Sequence, residues 1–216
     1  MGEIASLVRG RVLETLWSED RLIILVRDTG GDEAEVPGLV LREATAGDGE
    51  RYARDIGTDS RATFAARLSP QVTCWIVEEG ERILHATWMT RDGAWTRELQ
   101  RCLRPPPGHA YVYESFTRAD ARGRGIYPFA LRAISVRCAR RGVARLWVGV
   151  EEHNLASLRA VTKAGFGHAF EVSYRRRLGR MTVSPSGIAG DDSAPLLRMT
   201  PTCDPAPCGA RQEGEQ

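Results

Sequence analysis

A strand-like segment, a glycine-rich turn and a helix-like segment follow one another between residues 109 and 142. Aromatic and polar residues alternate in "HAYVYESFTR", as in a strand whose two faces meet different surroundings. After the turn "ARGRG", apolar residues recur at helical spacing until Gly142: Tyr127, Leu131, Ile134 and Cys138. The first N–H groups of a helix are unpaired, and the helix dipole favours an anion there. The segment therefore suits phosphate binding.

Strand-like and helix-like segments continue on both sides of this turn. Upstream lie a strand in "LVLREAT", helix-compatible stretches at residues 48–56 and 59–68, and an antiparallel hairpin in "TCWIVEEGERILHATWMTRDG". Downstream, the strand "VARLWVGV" precedes a helix that begins after the N-cap Asn154 and ends at Gly165, and then a last strand, "HAFEVSYRRRL". This order predicts an α/β (α+β) domain with a mixed central β-sheet flanked by helices.

The two ends of the chain differ from its centre. "RVLETLW" and "RLIILVRD", separated by "SED", predict a β-hairpin-like extension within residues 1–36, in front of the main domain at residues 37–179. Residues 180–216 are rich in Pro, Ser, Gly and Asp and show no sustained periodicity. This composition predicts a disordered C-terminal tail.

Composition argues against several classes of protein. No stretch approaches eighteen uninterrupted apolar residues and the N-terminus has no long apolar run, so we expect no membrane span, no signal peptide and a cytoplasmic location. The formal net charge is only +2, which argues against a dedicated nucleic-acid binder. Five cysteines and four histidines are scattered without a C-x-x-C pair, so we expect neither a disulfide framework nor a metal site.

The glycine-rich turn fits few known phosphate loops. The pattern G-x-x-x-x-G-K-[ST] is absent, and a dinucleotide fingerprint needs a third glycine where Pro128 stands. What remains is Arg122 followed by Gly123 and Gly125, two glycines that allow close approach of the backbone. On this motif alone, a glycine turn that merely connects strand to helix stays open.

Two motifs together resemble the GNAT superfamily of N-acetyltransferases. The acetyl-CoA loop of that family reads [QR]-x-x-G-x-[GA], which "RGRGIY" at residues 122–127 matches except at Tyr127. The second motif, N-x-x-[AS] followed by K-x-G-F, is present in "VGVEEHNLASLRAVTKAGF". The resemblance covers about residues 39–178. It implies the GNAT fold and direct transfer of an acetyl group from acetyl-CoA to a primary amine of a small molecule or peptide.

The same resemblance implies roles for the motif residues. The N–H groups of the loop would hold the CoA pyrophosphate, and the backbone of the preceding strand would bind the pantetheine arm and polarise the acetyl carbonyl. Asn154 and Ser157 would bind the cofactor where the second helix begins. The implied cofactor-binding residues are Ser115, Phe116, Thr117, Arg122, Gly123, Arg124, Gly125, Ile126, Tyr127, Asn154 and Ser157.

Transfer to an amine also needs a base and an acid. Glu114, an acidic residue in an aromatic strand just before the loop, is the candidate catalytic base. Because side chains alternate along a strand, Tyr113 or Tyr111 would line the pocket if Glu114 pointed away. Many family members carry a tyrosine acid seven residues after the motif asparagine, whereas this chain has Val161. Protonation from solvent, Tyr174 or another residue stays open.

The acceptor side shows no recognisable signature. In this fold the acceptor is bound by variable segments, here residues 48–68, "WTRELQRCLRPPPGHA" and the last strands. Arg61, Arg67 and Arg97 could recognise a carboxylate or phosphate. The missing helix tyrosine also fits an alternative function, a GNAT-fold module that binds acyl-CoA without turnover, as a sensor or partner subunit. A homodimer stays open.

Overall fold

The computed structural model describes residues 17–32, 36–177, 180–186 and 199–203. These residues contain four α-helices and eleven strands. The α-helices are α1 (Gly49–Asp55), α2 (Arg61–Arg67), α3 (Ile126–Ala139) and α4 (Leu155–Lys163). The strands are β1 (Trp17–Asp28), β2 (Val40–Glu43), β3 (Val72–Glu79), β4 (Arg82–Thr90), β5 (Ala94–Thr96), β6 (Arg101–Leu103), β7 (Ala110–Thr117), β8 (Arg145–Glu151), β9 (Gly167–Arg177), β10 (Arg180–Ser186) and β11 (Met199–Thr200).

A central sheet of eight strands has the order β10-β9-β1-β8-β7-β4-β3-β2. Its neighbouring strands are antiparallel except β7 and β8, which run parallel and are connected through α3. The sheet is mixed, as predicted. β5 and β6, which the sequence did not predict, form a second sheet with β11, in the order β11-β6-β5. No helix of the described residues is long and apolar enough to span a membrane.

The central sheet is covered on both faces. On β3, Trp75 and Val77 pack in the apolar cluster that contains α3, whereas Cys74 and Ile76 pack in the cluster of α1 and α2. Successive side chains of a strand point to opposite faces, so a continuous apolar run is what a strand buried on both sides requires. Helices thus cover both faces of the sheet at β3, whereas Leu99, Ala94 of β5 and Leu103 of β6 pack against other strands of the sheet.

Glycine and asparagine set the starts of the two helices beside that site. Gly125 is the N-cap of α3 with a φ of 74°, a left-handed conformation that suits a residue without Cβ. Asn154 is the N-cap of α4, and its side chain accepts a hydrogen bond from the backbone N–H of Ser157 at 3.1 Å. The predicted N-cap at Asn154 is therefore confirmed.

The predicted N-terminal hairpin is wrong for the residues that the structure describes. The expected turn "SED" lies inside β1, where residues 18–20 pair with residues 174–176 of β9. β1 pairs with both β8 and β9, so it is an inner strand of the central sheet rather than an extension in front of it. The polar end of β1 stays extended because β9 supplies ladder partners, and Glu19 pairs with Arg175 at 2.8 Å. The rest of "RVLETLW", residues 11–16, lies outside the described residues.

The predicted disordered tail is wrong at both places where the structure describes it. Residues 180–186 form β10, which pairs with β9 at the edge of the central sheet, and Met199–Thr200 pair with β6. A single disulfide among the described residues joins Cys102 to Cys203, which the expectation of no disulfide framework did not foresee. Edge strands tolerate proline and polar residues, which is why their composition resembled a tail. The remaining tail residues lie outside the described part of the chain.

Candidate active site

The site lies where the two parallel strands of the sheet separate. β7 pairs with β8 only from Ala110 to Val112, whereas its pairing with β4 continues to Thr117. The edge of residues 113–117 that faces β8 is therefore left without ladder partners among the described residues. Backbone N–H and C=O groups are obligatory hydrogen-bonding groups, so this edge can bind an extended ligand. Residues of this edge line two cavities.

The first cavity, here called the donor cavity, has a volume of about 630 Å³ and lies against the glycine-rich turn. Gly123 and Gly125 have φ angles of 78° and 74°, and a Cβ at either would meet only open space. The N–H groups of Gly123, Arg124 and Gly125 make no backbone hydrogen bond within the described part of the chain. A phosphate can bind in such open space, because the unpaired N–H groups at the start of a helix donate hydrogen bonds to it.

The charge of the donor cavity fits the same ligand. Arg122, Arg159 and Lys163 line it, and none of its lining residues is a carboxylate. Lys163, predicted as a solvated helix-end residue, is exposed and also lines this cavity, and the sequence reasoning did not single out Arg159. The i, i+4 spacing of Arg159 and Lys163 on α4 was the available signal. The residues present therefore suit the pyrophosphate of CoA.

Ten of the eleven predicted cofactor residues line the donor cavity. The exception is Arg124, whose guanidinium turns away and pairs with Glu79 at 2.6 Å. Placement in the cavity does not test the role of each residue, and those roles stay predictions. Val161 is fully buried and lines neither cavity, so the residue at the usual tyrosine position belongs to the core here.

The second cavity, here called the acceptor cavity, has a volume of about 470 Å³. Aromatic residues form much of its wall: Trp95, Tyr111, Tyr113, Phe116 and Tyr127. Four carboxylates also line it: Asp59, Glu98, Glu114 and Glu151. Two of the arginines considered for anion recognition, Arg67 and Arg97, lie here as well. The third, Arg61, pairs with Glu50 outside the cavity.

Glu114 lines the acceptor cavity because β7 bulges at this residue. Its φ is 45°, and the pairing of β7 with β4 shifts by one residue here. Tyr111 and Tyr113 line the same cavity, so the bulge places both tyrosines and the carboxylate around one space. Regular alternation would have sent Glu114 and Tyr113 to opposite faces.

An ion pair with Arg67 holds the Glu114 carboxylate in place. Arg67 lies 2.6 Å from Glu114 and 2.6 Å from Asp59, and its guanidinium stacks 3.9 Å above the Trp88 ring. Burial disfavours the charge of the guanidinium, but its hydrogen bonds to Glu114 and Tyr113 prevail and raise the pKa of Arg67. This ion pair fixes Glu114 at the wall of the acceptor cavity.

A second acidic group lies at the end of β8. Glu151 accepts a hydrogen bond from the Tyr174 hydroxyl at 3.3 Å, and His153 lies beside Glu151 and Asp20. Burial and the neighbouring carboxylates raise the pKa of Tyr174. Single donor atoms of Asp20, Glu151 and His153 lie within 4.8 Å of one another, so the described residues include one group of potential metal ligands.

The two cavities meet at a small set of residues. Those that line both are Ser115, Phe116, Tyr127, Asn154 and Ser157. A ligand lying along the edge of β7 from the donor side would therefore end beside the acceptor side. The arrangement suits the joining of an anionic, extended donor to a second molecule across this junction.

Comparison with known proteins agrees with the geometry. Residues 41–166, more than half of the chain, match the family model described as Acetyltransferase (GNAT) family. The chain is similar to a GCN5-related N-acetyltransferase from Sphaerobacter thermophilus, with a TM-score of 0.56 and 15% identity over 81% of this chain and 56% of that one. It is also similar to a GNAT-family acetyltransferase from Colwellia psychrerythraea, with a TM-score of 0.51 and 14% identity over 84% of this chain and 62% of that one.

A third similar structure is a GNAT-family acetyltransferase from Novosphingobium aromaticivorans, with a TM-score of 0.50 and 18% identity over 80% of this chain and 66% of that one. The chain thus spans less than two thirds of the length of these structures, and at such identities the likeness concerns the fold. No curated protein matches the chain.

Proposed function

The chain belongs to the acetyltransferase (GNAT) family, and from this premise we propose that it transfers an acetyl group from acetyl-CoA directly to a primary amine. The predicted family and mixed-sheet fold are confirmed by the family match and the fold likeness. The observation that carries the finer proposal is the meeting of a cationic and a carboxylate-rich cavity at the gap between β7 and β8. Such a junction lets both substrates bind at once.

Acetyl-CoA is the proposed donor because the donor cavity has groups suited to its pyrophosphate, its other phosphate and its pantetheine arm. The open glycine turn and the start of α3 supply unpaired N–H groups for the pyrophosphate. Arg122, Arg159 and Lys163 add positive charge for the phosphates. The unpaired edge of residues 113–117 supplies backbone groups for the pantetheine arm and for the acetyl carbonyl.

An amine is the proposed acceptor because the acceptor cavity favours a cation. A primary amine is mostly an ammonium ion in neutral water. Four carboxylates against two arginines attract such an ion, and the aromatic wall contributes the negative faces of its rings. The amine of a small molecule or of a peptide meets this requirement.

In the proposed reaction, Glu114 takes a proton from the amine, directly or through water, while the N–H groups at the edge of β7 stabilise the charge on the carbonyl oxygen. Its ion pair with Arg67 fixes its position at the cavity wall. The acceptor carbon chain packs against Trp95 and Tyr113, which line the same cavity. Glu114 as the base remains a prediction from the sequence.

Incubating the full chain with acetyl-CoA and a panel of primary amines tests the proposal. Thiol release that depends on the amine, together with an acetylated product in mass spectrometry, is the expected result. Thermal stabilisation by CoA without release on any amine would contradict it and support the binding module instead, which the buried Val161 at the usual tyrosine position favours. A result with no thermal stabilisation by CoA and no thiol release would contradict both functions.

A further inference from the structure

An acetyl group that passes directly from a thioester to an amine must lie where the two cavities meet. The residues that line both cavities are Ser115, Phe116, Tyr127, Asn154 and Ser157. Two of these side chains are aliphatic hydroxyls, one is an amide and one is a phenyl ring. The phenol of Tyr127 is thus the only proton donor among them that ionises in ordinary protein chemistry.

The Tyr127 side chain is held from two directions. Its ring stacks on that of His85, with centroids 5.2 Å apart and an angle of 29° between the planes. His85 is fully buried and fixed by a contact of 2.7 Å between its Nδ1 and the Thr117 hydroxyl. The Tyr127 hydroxyl interacts with the Ser115 side chain, which is hydrogen-bonded to Thr87. The phenol is therefore oriented before any ligand binds.

From this placement we propose that Tyr127 is the general acid of the site and protonates the sulfur of CoA as the acetyl group leaves. The inference rests on the proposed acetyl transfer. The amine nitrogen forms the C–N bond, the electron pair of the C–S bond passes to sulfur, and the phenolic proton moves to that sulfur. The ammonium ion first releases one proton to solvent and becomes the amine that attacks. The second nitrogen proton passes to Glu114 as the C–N bond forms and returns through solvent to the phenolate, so both residues are restored.

The alternative donors are less well placed. Val161, at the usual tyrosine position, is core. The hydroxyl of Tyr174 is directed to Glu151, and Tyr174 lines neither cavity. Burial raises the pKa of Tyr127 to about 12, against the opposing effect of Ser115, so the phenol keeps its proton throughout the neutral range.

A kinetic test compares Tyr127→Phe with the wild type. Phenylalanine keeps the stacking on His85 and removes the proton, so we expect kcat to fall about a hundredfold while the Kd of CoA rises no more than about fivefold. The matched control Tyr174→Phe should keep kcat within twofold. A Tyr127→Phe enzyme with kcat within threefold of the wild type would overturn the proposal.

A fluorinated tyrosine at position 127 separates acid chemistry from packing. Its more acidic phenol should bring a basic limb of the pH–rate profile into the measurable range, because activity falls once the phenol loses its proton. An unchanged profile, with the substituted enzyme active, counts against the acid role.

A binding experiment tests the contact between the Tyr127 phenol and the CoA sulfur without turnover. If the phenol touches the CoA sulfur, the wild type should bind CoA about fivefold more tightly than desulfo-CoA, and Tyr127→Phe should bind the two equally. The same preference in both proteins would overturn the contact. An inactive wild type that still shows this difference would refute the proposed acetyl transfer while placing Tyr127 at the sulfur.

Discussion

The donor and acceptor cavities share one strand gap yet carry opposite charge. The donor cavity is lined by Arg122, Arg159 and Lys163 and by no carboxylate, whereas the acceptor cavity has four carboxylates and two arginines. The formal net charge of the whole chain, +2, gives no sign that the two cavities carry opposite charge. In the proposed function, this difference lets one site admit a polyanionic nucleotide and a cationic amine together, because each cavity repels the substrate of the other.

The two cavities also differ in what builds them. The donor cavity is lined by the end of β7, one turn and two helices, α3 and α4, which lie within or beside the motifs that predict them. The acceptor cavity is formed by side chains from segments as distant as Thr58, Trp95 and Glu151. We therefore expect the donor side to be sensitive to backbone conformation and the acceptor side to be sensitive to charge.

The largest effect is expected at the donor turn. In Gly125→Val the φ of 74° becomes strained, and the side chain fills the open space above the turn. The Kd of CoA should rise about a thousandfold, since two or more N–H bonds to phosphate of about 1.5–3 kcal/mol each are lost. Isothermal titration calorimetry measures this change.

Gly142→Val is the matched control for that variant. Gly142 has a φ of 71° and open space around it, but it follows the other end of α3. Both variants carry similar strain, about 1–3 kcal/mol, so both should lower the melting temperature alike. If Gly142→Val weakened CoA binding as much as Gly125→Val, the loss would reflect damage to the helix and the phosphate assignment would fail.

Glu114→Gln should act on the acceptor side alone. The amide keeps the shape and removes the base, so kcat/KM for the amine should fall about a hundredfold, while the Kd of CoA stays within twofold. The control Glu43→Gln breaks another arginine pair, with Arg141, away from both cavities. A pH–rate profile identical to that of the wild type would show that Glu114 is not the base.

A smaller effect is expected from the cations of the donor cavity. Arg159→Gln and Lys163→Gln should each raise the Kd of CoA about three- to fivefold, because exposed charges contribute about 0.2–1 kcal/mol. The increase should shrink at high salt. Arg132→Gln, on α3 and outside the cavity lining, should leave the Kd unchanged. An equal loss in all three variants would argue for a diffuse field instead of local contacts.

The smallest effect is expected from Glu98, which has no ion pair among the described residues. Glu98→Gln should raise the KM of a cationic amine about twofold, in line with the weak effect of a single partly exposed charge, and leave CoA binding unchanged. Glu50→Gln, which removes a carboxylate outside the cavity, is the control. A lower KM after Glu98→Gln would show that the acceptor is not drawn in as a cation.

Much of the donor side was accessible from the sequence because its features are local. Gly125 and Asn154 act within a few residues of themselves, as the start of one helix and the cap of another, and both were predicted. The position of Glu114 was not predictable, because it depends on a bulge set by pairing with β4. β1 was misplaced for a similar reason, since its partners β8 and β9 lie more than a hundred residues away.

By itself, the sequence determined the family, the order of the central elements and the glycine turn at the start of α3. These depend on local spacing, capping and glycine conformations, which neighbouring residues specify. Only the tertiary structure decided the inner position of β1, the link between Cys102 and Cys203, and the meeting of Tyr127 and Glu114 at one junction. Contacts between distant segments have no local signature, because the closing of the sheet and its covering helices bring those residues together.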